Sequence, residues 1–346
     1  MTSRRTTARP TLYLLALGSS ALSGVNDVAA IKLVALPFDF LLAGFVYLLV
    51  HARSPSGWPA PASALAVLFA PTVVLNGAYW GQSDSIYTSA LVATVYLFVT
   101  QRPGWAMIAF GLAFAVKAQA VFLAPLLLLL LVTRQLPLRY ALLAPLPYLV
   151  LALPALALGR SPRDALLVYV DQASTFEQLT MGAPNLYQWL PNDLVEVGVP
   201  LGIIATTLAT LAFVAAVGRH RAPLSAEQIV LVATVSLVVL PFLLPKMHDR
   251  YFFPADVMAI VLAFYAPRLF WVPLIVIAAS LAAYAPFLTF TDLQSYADRG
   301  GIGWEPIPLP LVAAAMGATG AFLAWRAITS ARHFDEARPE AVSGSE

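Results

Sequence analysis

A few short runs hold side chains that could do chemistry. The first is Asn76-Gly77-Ala78-Tyr79-Trp80-Gly81-Gln82-Ser83-Asp84-Ser85-Ile86-Tyr87, a turn between two apolar stretches. An indole offers its face to the C–H face of a sugar, and the Gln82 amide and Asp84 carboxylate suit its hydroxyls. A plainer description fits too: Tyr79 and Trp80 as an interfacial aromatic belt, and Ser83 or Asp84 as the cap of the next helix. The second is Leu244-Pro245-Lys246-Met247-His248-Asp249-Arg250-Tyr251-Phe252-Phe253-Pro254. Lys246, His248 and Arg250 suit a phosphate, Arg250 through its bidentate fork, and Tyr251 could grip a sugar or a lipid tail. The plainer alternative is a cluster of snorkelling anchors at a helix end.

Lys117 stands nearly alone in an apolar stretch, with Gln119 two residues on. A lysine there needs a partner or water. Three roles are open to it: neutralising a phosphate, pairing with Asp84, or snorkelling outward. Gly182-Ala183-Pro184-Asn185-Leu186-Tyr187-Gln188-Trp189-Leu190 has a sugar-contact composition, with Asn185 and Trp189 as its candidates. Lys32 and Asp39, seven apart, share one helix face and read as polar residues of a bundle interior.

The elements that must position these groups are membrane helices. Of 346 residues, 60% are hydrophobic and only 11% charged. A soluble core could not hide so much apolar surface, so lipid is the solvent for most of the chain. Continuous apolar runs exclude a β-barrel, whose strands alternate. A net charge of +2 argues against nucleic acid, and the absence of cysteine excludes disulfides and thiolate chemistry. No metal site is indicated. Candidate membrane segments cover 29–50, 63–79, 84–100, 105–117, 119–133, 138–158, 199–217, 227–244, 251–266, 271–290 and 308–328, about eleven in all. A shorter run near 12–24 precedes them. The pair 105–117 and 119–133 reads either as one long helix or as two short ones.

The expected organisation is an N-terminal segment 1–28, an all-α polytopic membrane domain 29–328 with a long loop 159–198, and a disordered tail 329–346. With the 51–62 loop inside, about ten Lys and Arg fall on the inner side against about five outside, so the positive-inside rule makes the C-terminus cytoplasmic. The acids then collect outside: Asp84, Asp164, Asp171, Glu177, Asp193, Glu196, Asp249, Asp292, Asp298 and Glu305. His248 is the one histidine there, and chemistry or recognition is expected on that face of the cell membrane.

In order, Trp80-Gly81-Gln82-Ser83-Asp84-Ser85, Lys117-x-Gln119, Asn185-Leu186-Tyr187-x-Trp189 and Met247-His248-Asp249-Arg250-Tyr251 resemble bacterial relatives of the GPI mannosyltransferase II family, within the GT-C glycosyltransferases. The resemblance runs from about Tyr13 to Phe290, and its specific parts are the first and last of these runs. The family's usual His-Glu-Arg-Tyr is His248-Asp249-Arg250-Tyr251 here. The resemblance implies a GT-C-like bundle, an outer active site, a polyprenyl-phosphate sugar (typically mannose) as donor, and a glycan, lipid or protein as acceptor. It implies no resident cofactor. Asp84 becomes the first candidate carboxylate for acceptor positioning or base work, and Asp249 the second. Lys117, Lys246, His248 and Arg250 become the phosphate ligands, with Trp80, Gln82, Gln119, Asn185, Trp189 and Tyr251 around the sugar. Relatives begin with one more helix and a large first outer loop bearing an essential acid; here Pro10-Thr11-Leu12-Tyr13 looks like the tail of that loop. The rival expectations are a transporter or flippase for a lipid-linked glycan, and an inactive truncated homologue.

Overall fold

The computed structural model describes residues 27–169, 178–219, 221–288 and 307–336. The N-terminal segment up to residue 26, the acids Asp171, Glu177, Asp292, Asp298 and Glu305, and the tail from 337 lie outside the described residues.

Among the described residues the chain is all-α apart from one two-stranded pairing. Helices α1 (Asp27–Arg53), α2 (Pro59–Leu68), α3 (Pro71–Tyr79) and α4 (Asp84–Val99) come first. They are followed by α5 (Pro103–Val116), α6 (Ala118–Val132), α7 (Leu138–Ala157) and the short α8 (Pro162–Leu166). Then come α9 (Val195–Gly218), α10 (Ala226–Leu243), α11 (Phe253–Tyr265), α12 (Trp271–Leu288) and α13 (Leu309–Glu336). Proline sits in the first turn of α2, α3, α5, α8 and α11, where its missing N–H costs nothing and its fixed φ favours the helix. Helix α13 continues past the expected end at 328 to Glu336.

Among the described residues, six helices are long and apolar enough to cross a membrane: Lys32–Arg53, Leu138–Ala157, Asn192–Gly218, Ala226–Leu243, Pro267–Leu288 and Leu309–Ala331. A seventh crossing results if α2 and α3, bent by 43°, count as one. This corrects the expected eleven. Apolar run length does not separate a helix that crosses lipid from one enclosed by other helices. Helices α4 and α5 have 16 and 14 residues; at ~1.5 Å per residue they reach roughly 21–24 Å, short of a ~30 Å hydrocarbon core. Helix α4 is buried on nearly every face, as are α10 and α11, so protein surrounds them. Apolar surface is exposed instead on helices such as α7 and α9, through Leu142, Leu149, Leu153, Leu201, Ile204 and Leu208.

The 105–133 stretch resolves into two helices. The break is Lys117, whose backbone is extended between α5 and the 3₁₀ turn that opens α6. At one end of the bundle the turns are clasped together. Arg53 pairs with Glu227 at 3.5 Å, and the Gln135 amide exchanges two hydrogen bonds with the Leu224 backbone at 2.7 and 2.9 Å. The opposite end gathers the turns at 80–84, 117, 179–190 and 244–252.

Candidate functional site

Strand β1 (Thr180–Met181) pairs in parallel with β2 (Met247–His248), and Gly182 bridges to His248. The backbone N–H of Lys246 adds a bond of 2.7 Å to the Leu179 carbonyl. This strap ties the long loop onto the turn between α10 and α11. Gly182 has φ +76°, and a β-carbon there would stand 3.0 Å from the Phe287 ring, so the close approach requires glycine.

Below the strap, Asp84 is fully buried at the first turn of α4. The Lys117 ammonium donates to its Oδ1. Asn76 Nδ2 donates to Oδ2 at 2.9 Å, and Arg250 Nε lies 4.0 Å from the same oxygen. Asp84 therefore gathers groups from α3, the α5–α6 break and the α10–α11 turn. It does not cap its helix, and Ser83 makes no side-chain capping bond either. Of the roles open to Lys117, pairing with Asp84 is the one observed. Its Nζ also stands over the Tyr87 and Tyr251 rings, 5.1 and 5.6 Å from their centroids.

Arg250 reaches Asp249 as well, with Nη1 3.8 Å from Oδ1. Its guanidinium stacks over Trp80 at 5.7 Å, and Trp80 in turn packs on Tyr284 at 5.5 Å and Phe287 at 5.9 Å. Trp80, expected against a sugar, thus also forms a platform beneath the Arg250 guanidinium. Burial works against the charge of Arg250, but Asp84 and Asp249 outweigh it and hold its pKa above the ordinary value. His248 stacks edge-on against Tyr251 at 5.1 Å. Burial, reinforced by Arg250 and Lys117, pushes its pKa down to about 4, so at neutral pH it offers a hydrogen bond rather than a charge.

Asp249 differs from Asp84. It is fully buried, and neither carboxylate oxygen has a hydrogen-bond partner among the described residues. Burial pushes its carboxyl up to about 7 despite the opposing pull of Arg250. One end of the bundle therefore holds a charge-paired carboxylate and a second whose proton is exchangeable near neutral pH.

The other expected residues divide. Gln82 lies in the same turn, its backbone N–H bonded to the Asn76 carbonyl at 2.9 Å, and Gln119 is half-buried just after Lys117. Lys246 sits in the strap with φ +61°. Asn185 is fully buried, its Oδ1 accepting from the Tyr187 N–H at 3.2 Å and its Nδ2 donating to the Leu244 carbonyl at 3.3 Å. The first bond shapes the loop itself, and the second ties it to the end of α10. Trp189 is 49% exposed on the surface and does not join the cluster. Asn76, Tyr87, Tyr284 and Phe287 do join it and were not singled out from sequence. Asn76 and Tyr284 could have been, as isolated polar groups in the apolar runs 63–79 and 271–290. No protein-family model matches the chain and no curated protein matches it, so the site stands on its own geometry.

Proposed function

We propose that this chain is a membrane glycosyltransferase that moves a sugar, mannose by resemblance, from a polyprenyl-phosphate donor to a hydroxyl acceptor at the membrane surface. The observation that carries the reading is the meeting of Lys117, Arg250, Asp84 and Asp249 from distant parts of the chain at one end of the bundle. Isolated ions at such depth are costly, so four of them together point to a task.

In the proposed step the acceptor oxygen attacks the anomeric carbon and a new C–O bond forms. The bond from that carbon to the phosphate oxygen breaks, and its electron pair leaves with the phosphate. Asp249, with both oxygens free of hydrogen bonds, takes the hydroxyl proton; a base poised near 7 suits that transfer. Lys117 and Arg250 neutralise the departing phosphate, Arg250 through its fork. Asp84 is anchored by three donors and serves to hold the two cations in place. The resemblance implies a further essential acid on a first outer loop, which the proposed step does without.

A carrier for a lipid-linked glycan would need a polar route to the far end. The buried apolar faces of α4, α10 and α11 fill that space, which favours the transferase. The reading places the site end outside the cell, following the loop charges. The test is transfer of radiolabelled mannose from polyprenyl-phosphate mannose in lipid nanodiscs holding the purified protein. Transfer is expected from the lipid donor. Transfer only from a soluble nucleotide sugar would overturn the reading.

A further inference from the structure

Two buried acids lie one helical turn beneath the ion cluster and take no part in the step above. Asp256, in the first turn of α11, accepts a hydrogen bond from Ser280 of α12 at 2.8 Å. The Thr72 hydroxyl of α3 faces the same carboxyl group, although neither it nor Asp256 Oδ2 makes a hydrogen bond among the described residues. Asp39 of α1 accepts from the Ser85 hydroxyl of α4. It also closes on α3, since a β-carbon on Gly77 would stand 3.0 Å from Asp39 Oδ2.

The spacing links these contacts to the site. Four residues on, one turn along the same face, Thr72 leads to Asn76 and Ser280 leads to Tyr284. Asn76 donates to Asp84, and Tyr284 packs on Trp80, the platform for Arg250. Ser85 follows Asp84 directly, and Gly77 follows Asn76. Helix α3 is thus closed on at Gly77 by Asp39 and faced at Thr72 by the buried Asp256, with Asn76 between the two. It needs such neighbours, because its last turn, Leu75–Tyr79, is a π-turn closed by a bond of 2.8 Å from the Trp80 N–H to the Leu75 carbonyl. Such wide turns are rare and depend on their surroundings.

We infer that Asp39 and Asp256 are positioning residues that fix the height and rotation of α3. They thereby set the Asn76–Asp84 bond and the Trp80 platform, and with them the places of Lys117 and Arg250. The inference rests on the reading of those two cations as a phosphate site.

The test measures farnesyl phosphate binding and thermal unfolding side by side in nanodiscs. Asp39→Leu and Asp256→Leu should weaken farnesyl phosphate about ten-fold or more, a change of ~1.4 kcal/mol. Asp39→Asn and Asp256→Asn keep an acceptor for the serine hydroxyls and should restore most of the affinity. Gly77→Ala, which adds a methyl against Asp39, should weaken binding like Asp39→Leu. If the leucine variants do not fold, Ser85→Ala and Ser280→Ala remove the same bonds more gently and should still weaken binding. A lowered unfolding temperature with unchanged affinity in the folded protein would mark the acids as core filling and overturn the inference, leaving the phosphate reading intact. Absence of farnesyl phosphate binding by the unaltered protein would overturn both.

Discussion

Two carboxylates close in space have been driven to different tasks by their partners. Asp84 is saturated by Lys117, Asn76 and Arg250, whereas Asp249 is buried with both oxygens unbonded. Asp249 carries the pH dependence. Its folded pKa of about 7 lies above the ordinary carboxyl value, so the folded state holds the proton more tightly than the unfolded chain. That contribution to stability is fully present at acid pH and is lost as pH rises through about 7. A general base must shed the same proton, so sugar transfer should rise as pH passes through about 7, read as kcat/KM against pH. Asp249→Asn should then abolish transfer yet raise the unfolding temperature at pH 8, because the ionised form is no longer buried; an unchanged or lowered Tm would contradict this. Asp84→Asn should cut transfer by about 100-fold or more through the loss of charge that holds the two cations. Arg250→Lys should recover little, since a point charge replaces neither the fork nor the stacking on Trp80.

At the level of elements, short breaks in helices position the site. Lys117 reaches Asp84 because α5 ends one residue before it and α6 starts one residue after it, leaving its backbone extended. The apolar run was legible, but its period could not say whether it was one helix or two. The lysine itself was the only signal of the break. Trp80 was legible as a special residue, yet its task was not, because only the fold shows which partners cover its faces. Asn185 was legible in the same partial way: a buried amide spends its hydrogen bonds on backbone as readily as on a ligand. The strap offers a test at this scale. Gly182→Ala forces φ near +76° on an alanine and pushes a methyl toward Phe287. It should cost about 1–3 kcal/mol, seen as a lower unfolding temperature. It should also reduce transfer, because Phe287 supports Trp80.

For the molecule as a whole, membrane character was legible from composition, while the number of full crossings was not. An enclosed helix such as α11 is as apolar as a lipid-facing one such as α9, so hydropathy overcounts. Sidedness rests on loop charge alone, and the chain itself supplies a clean way to test it. With no native cysteine, a single introduced thiol reports its own location. Trp189, half exposed at the site end, and Leu138, exposed at the opposite end, are suitable places outside the proposed phosphate and proton machinery. In intact cells a membrane-impermeant maleimide should label Trp189→Cys and spare Leu138→Cys, and permeabilisation should expose the second. The donor argument depends on that result, because the site must face the side where the sugar headgroup of the lipid carrier is presented. Labelling of Leu138→Cys alone in intact cells would turn the Asp84–Lys117–Arg250 cluster toward the cytoplasm. The positive-inside assignment would then fail, and the acceptor would have to be a cytoplasmic hydroxyl rather than one outside the membrane.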